Sequence, residues 1–102
     1  MVGPSLTIPW QSKEYLKAPI AGSADLGSLP PEIALLPVGQ DPAPGDWLTA
    51  QWITEGGQLK AMILIGPDTA LPLTKGLLYQ VWVRITAEPE IPLLTPGTVY
   101  AS

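Results

Sequence analysis

The chain predicts a single-domain, all-β sandwich, and three observations carry that prediction. Thirteen prolines and ten glycines in 102 residues interrupt the sequence every few positions. Each proline inside a helix costs about 3 kcal/mol, so long helices are excluded. The apolar stretches, such as Ala61–Ile65 and Leu77–Val83, are short and rich in branched side chains, which suits strands. About seven such segments recur at roughly 8–12-residue spacing, the pattern of an immunoglobulin-like sandwich of short antiparallel strands. A jelly roll or small barrel is the structural rival.

Taken in order, residues 1–12 read as an extended N-terminal arm, followed by strand candidates at Glu14–Ile20 and Glu32–Pro37. Their interior or bounding prolines suit sheet edges, where a missing N–H breaks no ladder. Gly39–Gly45, GQDPAPG, reads as a loop. Trp47–Thr54 and Gln58–Ile65 then flank Gly56-Gly57, and adjacent glycines supply the positive φ angles of a two-residue hairpin turn. With Glu55 opposite Gln58, the register pairs Trp52 with Ala61, Ala50 with Ile63 and Leu48 with Ile65, giving one wholly apolar face. The other face carries Thr49, Gln51, Ile53, Lys60, Met62 and Leu64. A slip of one residue would bury Gln51 and Lys60.

The segment GPDTALPLTKG supplies a turn, a short apolar piece at Leu71–Leu73 and a second turn at Lys75-Gly76. Leu77–Thr86 is the longest strand candidate, with Tyr79, Val81, Val83 and Ile85 assigned to the core and Leu78, Gln80, Trp82 and Arg84 outward. Two prolines break the ladder across Glu88–Pro92, and Gly97–Ala101 forms a last strand. Trp52, on the third or fourth strand, points inward. Tyr79 stands where a tyrosine corner would place it, its hydroxyl bonding upstream backbone near Asp68–Leu73. Both aromatics serve equally well as plain core fillers.

Composition narrows the function. Hydrophobic residues make up 46% and charged residues 14%, against about 25% charged in a typical domain. A charge-poor surface favours contiguous apolar patches, which mark partner interfaces. The net charge of −4, with five scattered bases, provides no basic face for nucleic acid. The N-terminus lacks the basic start and apolar core of a signal peptide, and no run approaches the ~18 apolar residues of a membrane span. A soluble, unprocessed chain is expected.

The sequence has no histidine and no cysteine. Imidazole bases, Ser-His-Asp triads, thiolate nucleophiles and zinc-thiolate sites are therefore absent together. Glu88 and Glu90 could pair as glycosidase carboxylates, but they flank Pro89 in a turn-like segment, and solvated loop acids are the simpler reading. Asp41, Asp46, Asp68, Glu88 and Glu90 fall in loops without calcium-loop spacing. Gly56-Gly57 lacks a phosphate-loop context. No catalytic residue, metal or cofactor is expected.

The aromatic residues point to a partner. Trp82 and Arg84 project from one strand, and Trp47 lies on the hairpin face with Gln51 and, across the turn, Met62. If the two strands are neighbours, Trp47, Gln51, Met62, Trp82 and Arg84 form one exposed patch, and Trp and Arg are enriched at binding hot spots. Alternatively a loop or the N-terminal arm, with Trp10, folds over this face and hides it.

Over a little more than half its length, the chain resembles small virion proteins encoded by tailed bacteriophages and prophages among their capsid and tail genes. The resemblance is carried by W-x-x-A-x-W (Trp47, Ala50, Trp52), L-I-G-P (Leu64–Pro67), Y-x-V-W-V-R-I-T (Tyr79–Thr86), P-E-x-P (Pro89–Pro92) and S-K-E-Y-L-K-A-P-I (Ser12–Ile20). It implies a non-enzymatic structural protein of the virion, assembled in the host cytoplasm. Such a protein decorates the capsid or is otherwise head-associated, docking to major capsid protein or neighbouring subunits in many copies. Head-to-tail or tail placement, or a carbohydrate-binding sandwich using tryptophans as stacking platforms, are the alternatives.

Overall fold

A computed structural model describes residues 5–20, 29–86, 91 and 93–102. Eight strands form two packed sheets: β1 (Ser5–Ile8), β2 (Glu14–Pro19), β3 (Glu32–Pro37), β4 (Leu48–Thr49), β5 (Gln51–Glu55), β6 (Gln58–Ile65), β7 (Leu78–Arg84) and β8 (Leu93–Ala101). One sheet has the order β1-β8-β7-β3-β4 and the other β2-β6-β5. The fold is an all-β sandwich with immunoglobulin connectivity: β2, β6 and β5 stand in the places of strands B, E and D, and β3, β7 and β8 in those of C, F and G.

The expected hairpin forms in its expected register. Trp52 pairs with Ala61 and Glu55 with Gln58, around Gly56 and Gly57 at φ +58° and +76°. Its first strand, however, does not run from Trp47. The chain crosses between sheets at Ala50, whose N–H donates to the Pro31 carbonyl at 2.8 Å. Leu48 consequently pairs with Ile33 of β3, and the expected Leu48–Ile65 pair does not exist. A small, buried residue suits this corner, where the backbone passes close to the core.

Two other expectations change. Residues 5–8 are not a loose arm but β1, paired in parallel with β8 through Ser5–Thr98 to Ile8–Ala101. β2 is an edge strand as expected, whereas β3 lies inside its sheet between β7 and β4. Pro37 is tolerated there because it ends the strand. β8 also begins earlier than expected, at Leu93, and carries an irregularity opposite Val81–Val83. The break expected at Glu88–Pro92 falls largely outside the described residues.

The core is filled by inward positions of both sheets. Ile33, Leu35, Tyr79, Val81, Val83, Ile85 and Val99 come from or flank the larger sheet, and Leu16, Ala18, Ala61 and Ile65 from the smaller. The alternation assigned to β7 is observed: Val83 is fully buried, and Tyr79, Val81 and Ile85 nearly so. The tyrosine corner is present, with the Thr74 N–H donating to the Tyr79 hydroxyl at 2.8 Å, one residue past the expected stretch. Trp52 is the inward half-buried indole, but it sits on β5; its Nε1 donates to the Leu29 carbonyl at 2.7 Å. Gly66, just after β6, is required for close approach. At φ +112°, an added Cβ would lie 2.1 Å from the Ser12 carbonyl oxygen on the segment joining β1 to β2.

Candidate docking surface

The strands of the five-stranded sheet contain two charged side chains, Glu32 and Arg84. Register places them opposite each other on β3 and β7, and Arg84 Nε and Nη2 both reach Glu32 Oε1, at 3.0 and 2.9 Å. The 3-10 turn Pro44–Asp46, closed by the Asp46 carboxylate accepting from the Ala43 N–H, delivers Trp47 to the same place. The Arg84 guanidinium carbon stands 4.6 Å from the centre of the Trp47 ring. Carboxylate, guanidinium and indole thus fix one another; a cation–π contact of this kind contributes about 0.5–1 kcal/mol.

Next along β7, Trp82 sits opposite Ala34. Its indole is half-buried, and Nε1 is covered with no hydrogen-bond partner among the described residues. Gln80 turns its amide back onto its own chain, donating to the carbonyls of Gly97 at 2.7 Å and Val81 at 3.3 Å. At the end of the strand Leu78 pairs with Tyr100, and the Val38 N–H donates to the Leu78 carbonyl. Val38, just past the end of β3, thus lines up with Leu78 and Tyr100 in an apolar row, and all three are exposed.

Of the five residues expected to form a partner patch, the structure brings together Trp47, Trp82 and Arg84. Gln51 and Met62 are not with them. They pair with each other on the three-stranded sheet, so they face the opposite side of the sandwich, beside an open cleft of about 290 Å³ lined also by Tyr15 and Ile63. The expectation failed because it took the hairpin and β7 as neighbours, whereas the crossing at Ala50 puts Trp47 and Gln51 in different sheets. Nor does Trp10 fold over Trp82. Its N–H donates to the Ser102 carbonyl, beyond the end of β8, while Trp82 faces the stretch of β8 between Leu94 and Gly97.

The outer face of the smaller sheet is differently built. Glu55 is held between Lys17, at 2.9 Å, and Lys60, at 3.4 Å. The hydrogen bond from Lys17 is the main cause that lowers the Glu55 pKa from its ordinary 4.5. Among the described residues no three acids gather as a metal site. Asp46 is engaged in its turn, Asp41 and Asp68 are exposed, and Glu88 and Glu90 lie outside the described residues. No helix is long and apolar enough to cross a membrane among the described residues.

Compared with known protein families, characterised proteins and solved structures, the chain matches none. What the fold and surface define is a class: a small all-β sandwich with one outer face poor in charge and rich in aromatic and aliphatic side chains.

Proposed function

We propose that this protein is a non-enzymatic structural component of a tailed-phage virion, head-associated or decorating the capsid. In this role the outer face of the five-stranded sheet meets a neighbouring polypeptide. The observation that carries the docking role is that face itself: its strands hold two charged side chains, paired to each other, alongside Trp47, Trp82, Leu78 and Tyr100. Burying such a surface gains roughly 25 cal/mol per Å², and the charges to be desolvated are those of one ion pair whose side chains are already about 70% buried. Placement in a virion rests on the resemblance of residues 12–20 and 46–102 to phage structural proteins.

The carbohydrate-binding alternative is disfavoured by the packing of the indoles. One face of Trp47 is occupied by the Arg84 guanidinium, and Trp82 is half-buried, so each indole offers only part of its surface for sugar stacking.

The test is co-sedimentation of the purified chain with assembled phage heads. Saturable binding at a fixed ratio to capsid protein is expected. A chain that stays in the supernatant at every ratio contradicts the proposal.

A further inference from the structure

The crossing at Ala50 leaves the smaller sheet with an interrupted ladder. β6 runs on to Ile65, but its pairing with β5 ends at Gln51–Met62. The next hydrogen-bonded pair in that register would be Thr49 with Leu64, and Thr49 pairs instead with Glu32 in the other sheet. Main-chain groups of alternate residues in a strand point to opposite neighbours. The Ile20 N–H donates to the Leu59 carbonyl at 3.0 Å, which turns the odd-numbered residues of β6 toward β2 and the even-numbered ones toward β5. The N–H and C=O of Leu64 therefore point to the side that β5 has left, and among the described residues they have no backbone partner.

This opening is bounded at both ends. The Gln51–Met62 pair closes one, and the Gly66 N–H, donating to the Leu71 carbonyl at 3.0 Å, closes the other. Between Met62 and Gly66 lie about 13 Å of strand, room for roughly three extended residues. The opening coincides with the cleft of about 290 Å³, and among the described residues none of the seven that line it is charged. Ile63, on the inward side of β6, is packed against the core yet only half-buried. The outer edge of β2, by contrast, is guarded. Tyr15, Lys17 and Pro19 turn their main-chain groups outward there, where Pro19 has no N–H to offer and Lys17 brings a charge. Neither device guards Leu64.

We infer that a short, extended, uncharged segment of another polypeptide adds to β6 at Leu64, taking the place in the ladder that Thr49 gives up. Its central residue exchanges two hydrogen bonds with the Leu64 N–H and C=O, and its side chain lies on the outer face beside those of Met62 and Leu64. The residues on either side of it turn inward over Ile63 and are apolar, because the cleft offers a buried charge no partner. Main-chain pairing supplies the attachment and the flanking side chains the selectivity. This opening lies on the other side of the sandwich from the face proposed to dock on the virion, and the inference stands apart from that reading.

Solution NMR of the full chain tests it. In the free chain the Leu64 N–H should exchange with solvent about tenfold or more faster than those of Met62 and Ile63, which have ladder partners. Titration with the probe peptide acetyl-Val-Thr-Val-amide, to about 20 mM, should shift the Met62, Ile63 and Leu64 signals saturably and slow the Leu64 exchange. Acetyl-Val-Pro-Val-amide, whose central residue has no N–H, and acetyl-Asp-Thr-Asp-amide, which brings charge, should each bind about tenfold more weakly or worse. A Leu64 N–H as protected as its neighbours in the free chain, no shift at Leu64 with the first peptide, or equal binding of the proline or aspartate peptide would overturn the inference. So would N-methylacetamide binding as tightly as the first peptide, since the occupant would then be a small amide and not a strand. Each of these results leaves the head-binding test untouched.

Discussion

The two outer faces of this sandwich cover the same core yet are built from different chemistry. The five-stranded sheet places one ion pair on its 28 strand residues, and eight of the ten exposed large hydrophobics among the described residues lie on its strands or within two residues of them. The three-stranded sheet carries four charged residues, Glu14, Lys17, Glu55 and Lys60, in 19 strand residues, with Tyr15 its one exposed large hydrophobic. A sheet face that remains in water usually alternates polar with apolar, as the smaller sheet does. The outer side of the larger sheet sets Leu78, Trp82, Leu93 and Tyr100 among Thr7, Glu32, Thr49, Gln80, Arg84 and Thr98, so the two faces differ in their number of charges and of large exposed apolar side chains, which is the difference the proposed docking role uses.

Both faces depend on one close crossing, so the largest effect is expected there. Gly66→Ala forces a Cβ against the Ser12 carbonyl in a backbone region that disfavours side chains, and should destabilise the fold by about 3 kcal/mol or more. Thermal unfolding should show both faces lost in a single transition. Trp82→Ala should cost about 2 kcal/mol through lost packing, with Met62→Ala on the other sheet costing less. Urea titration of the two variants ranks the faces directly.

Tyr79→Phe strands the Thr74 N–H without its acceptor and should cost about 1–2 kcal/mol. Because Tyr79 points into the core, binding to phage heads should be unchanged. Asp68 adopts φ +63° without being glycine, and Asp68→Gly should stabilise by about 0.5–1 kcal/mol.

The smallest effect is expected at Glu55. Its folded pKa is depressed, chiefly by the Lys17 hydrogen bond, so its stabilising contribution is present above the ordinary carboxylate value and lost as pH falls through the depressed one. Glu55→Gln should flatten the stability profile at and below about pH 4.5 and reduce its salt dependence. Denaturation midpoints at pH 3, 4 and 7 would check this, with the small shift largest at neutral pH and vanishing towards pH 3.

What the sequence made legible was local. The Gly56-Gly57 turn and the alternation on either side of it determined the hairpin register, because a slip would have buried Lys60. Tyr79 was readable as a corner residue because it opens a strand after a turn. The crossing at Ala50 was not readable, since Leu48 through Trp52 keep one unbroken alternation and a lone alanine is no signal. That one residue split the expected patch, keeping Trp47 with Arg84 and sending Gln51 and Met62 to the far side. The parallel pairing of β1 with β8 and the row Val38–Leu78–Tyr100 depend on contacts between segments distant in the chain, which periodicity within a strand cannot encode. Glu32 escaped notice as the Arg84 partner for the same reason: 52 residues separate them.

Hydroxyl-radical footprinting of Tyr100 against Tyr15, in the free chain and in the chain bound to phage heads, tests the central claim most directly. In the free chain the two residues are comparably open, at 41% and 54%. Tyr100 should become protected on binding while Tyr15 continues to react. Equal labelling of both tyrosines in the bound chain would contradict docking through the five-stranded sheet.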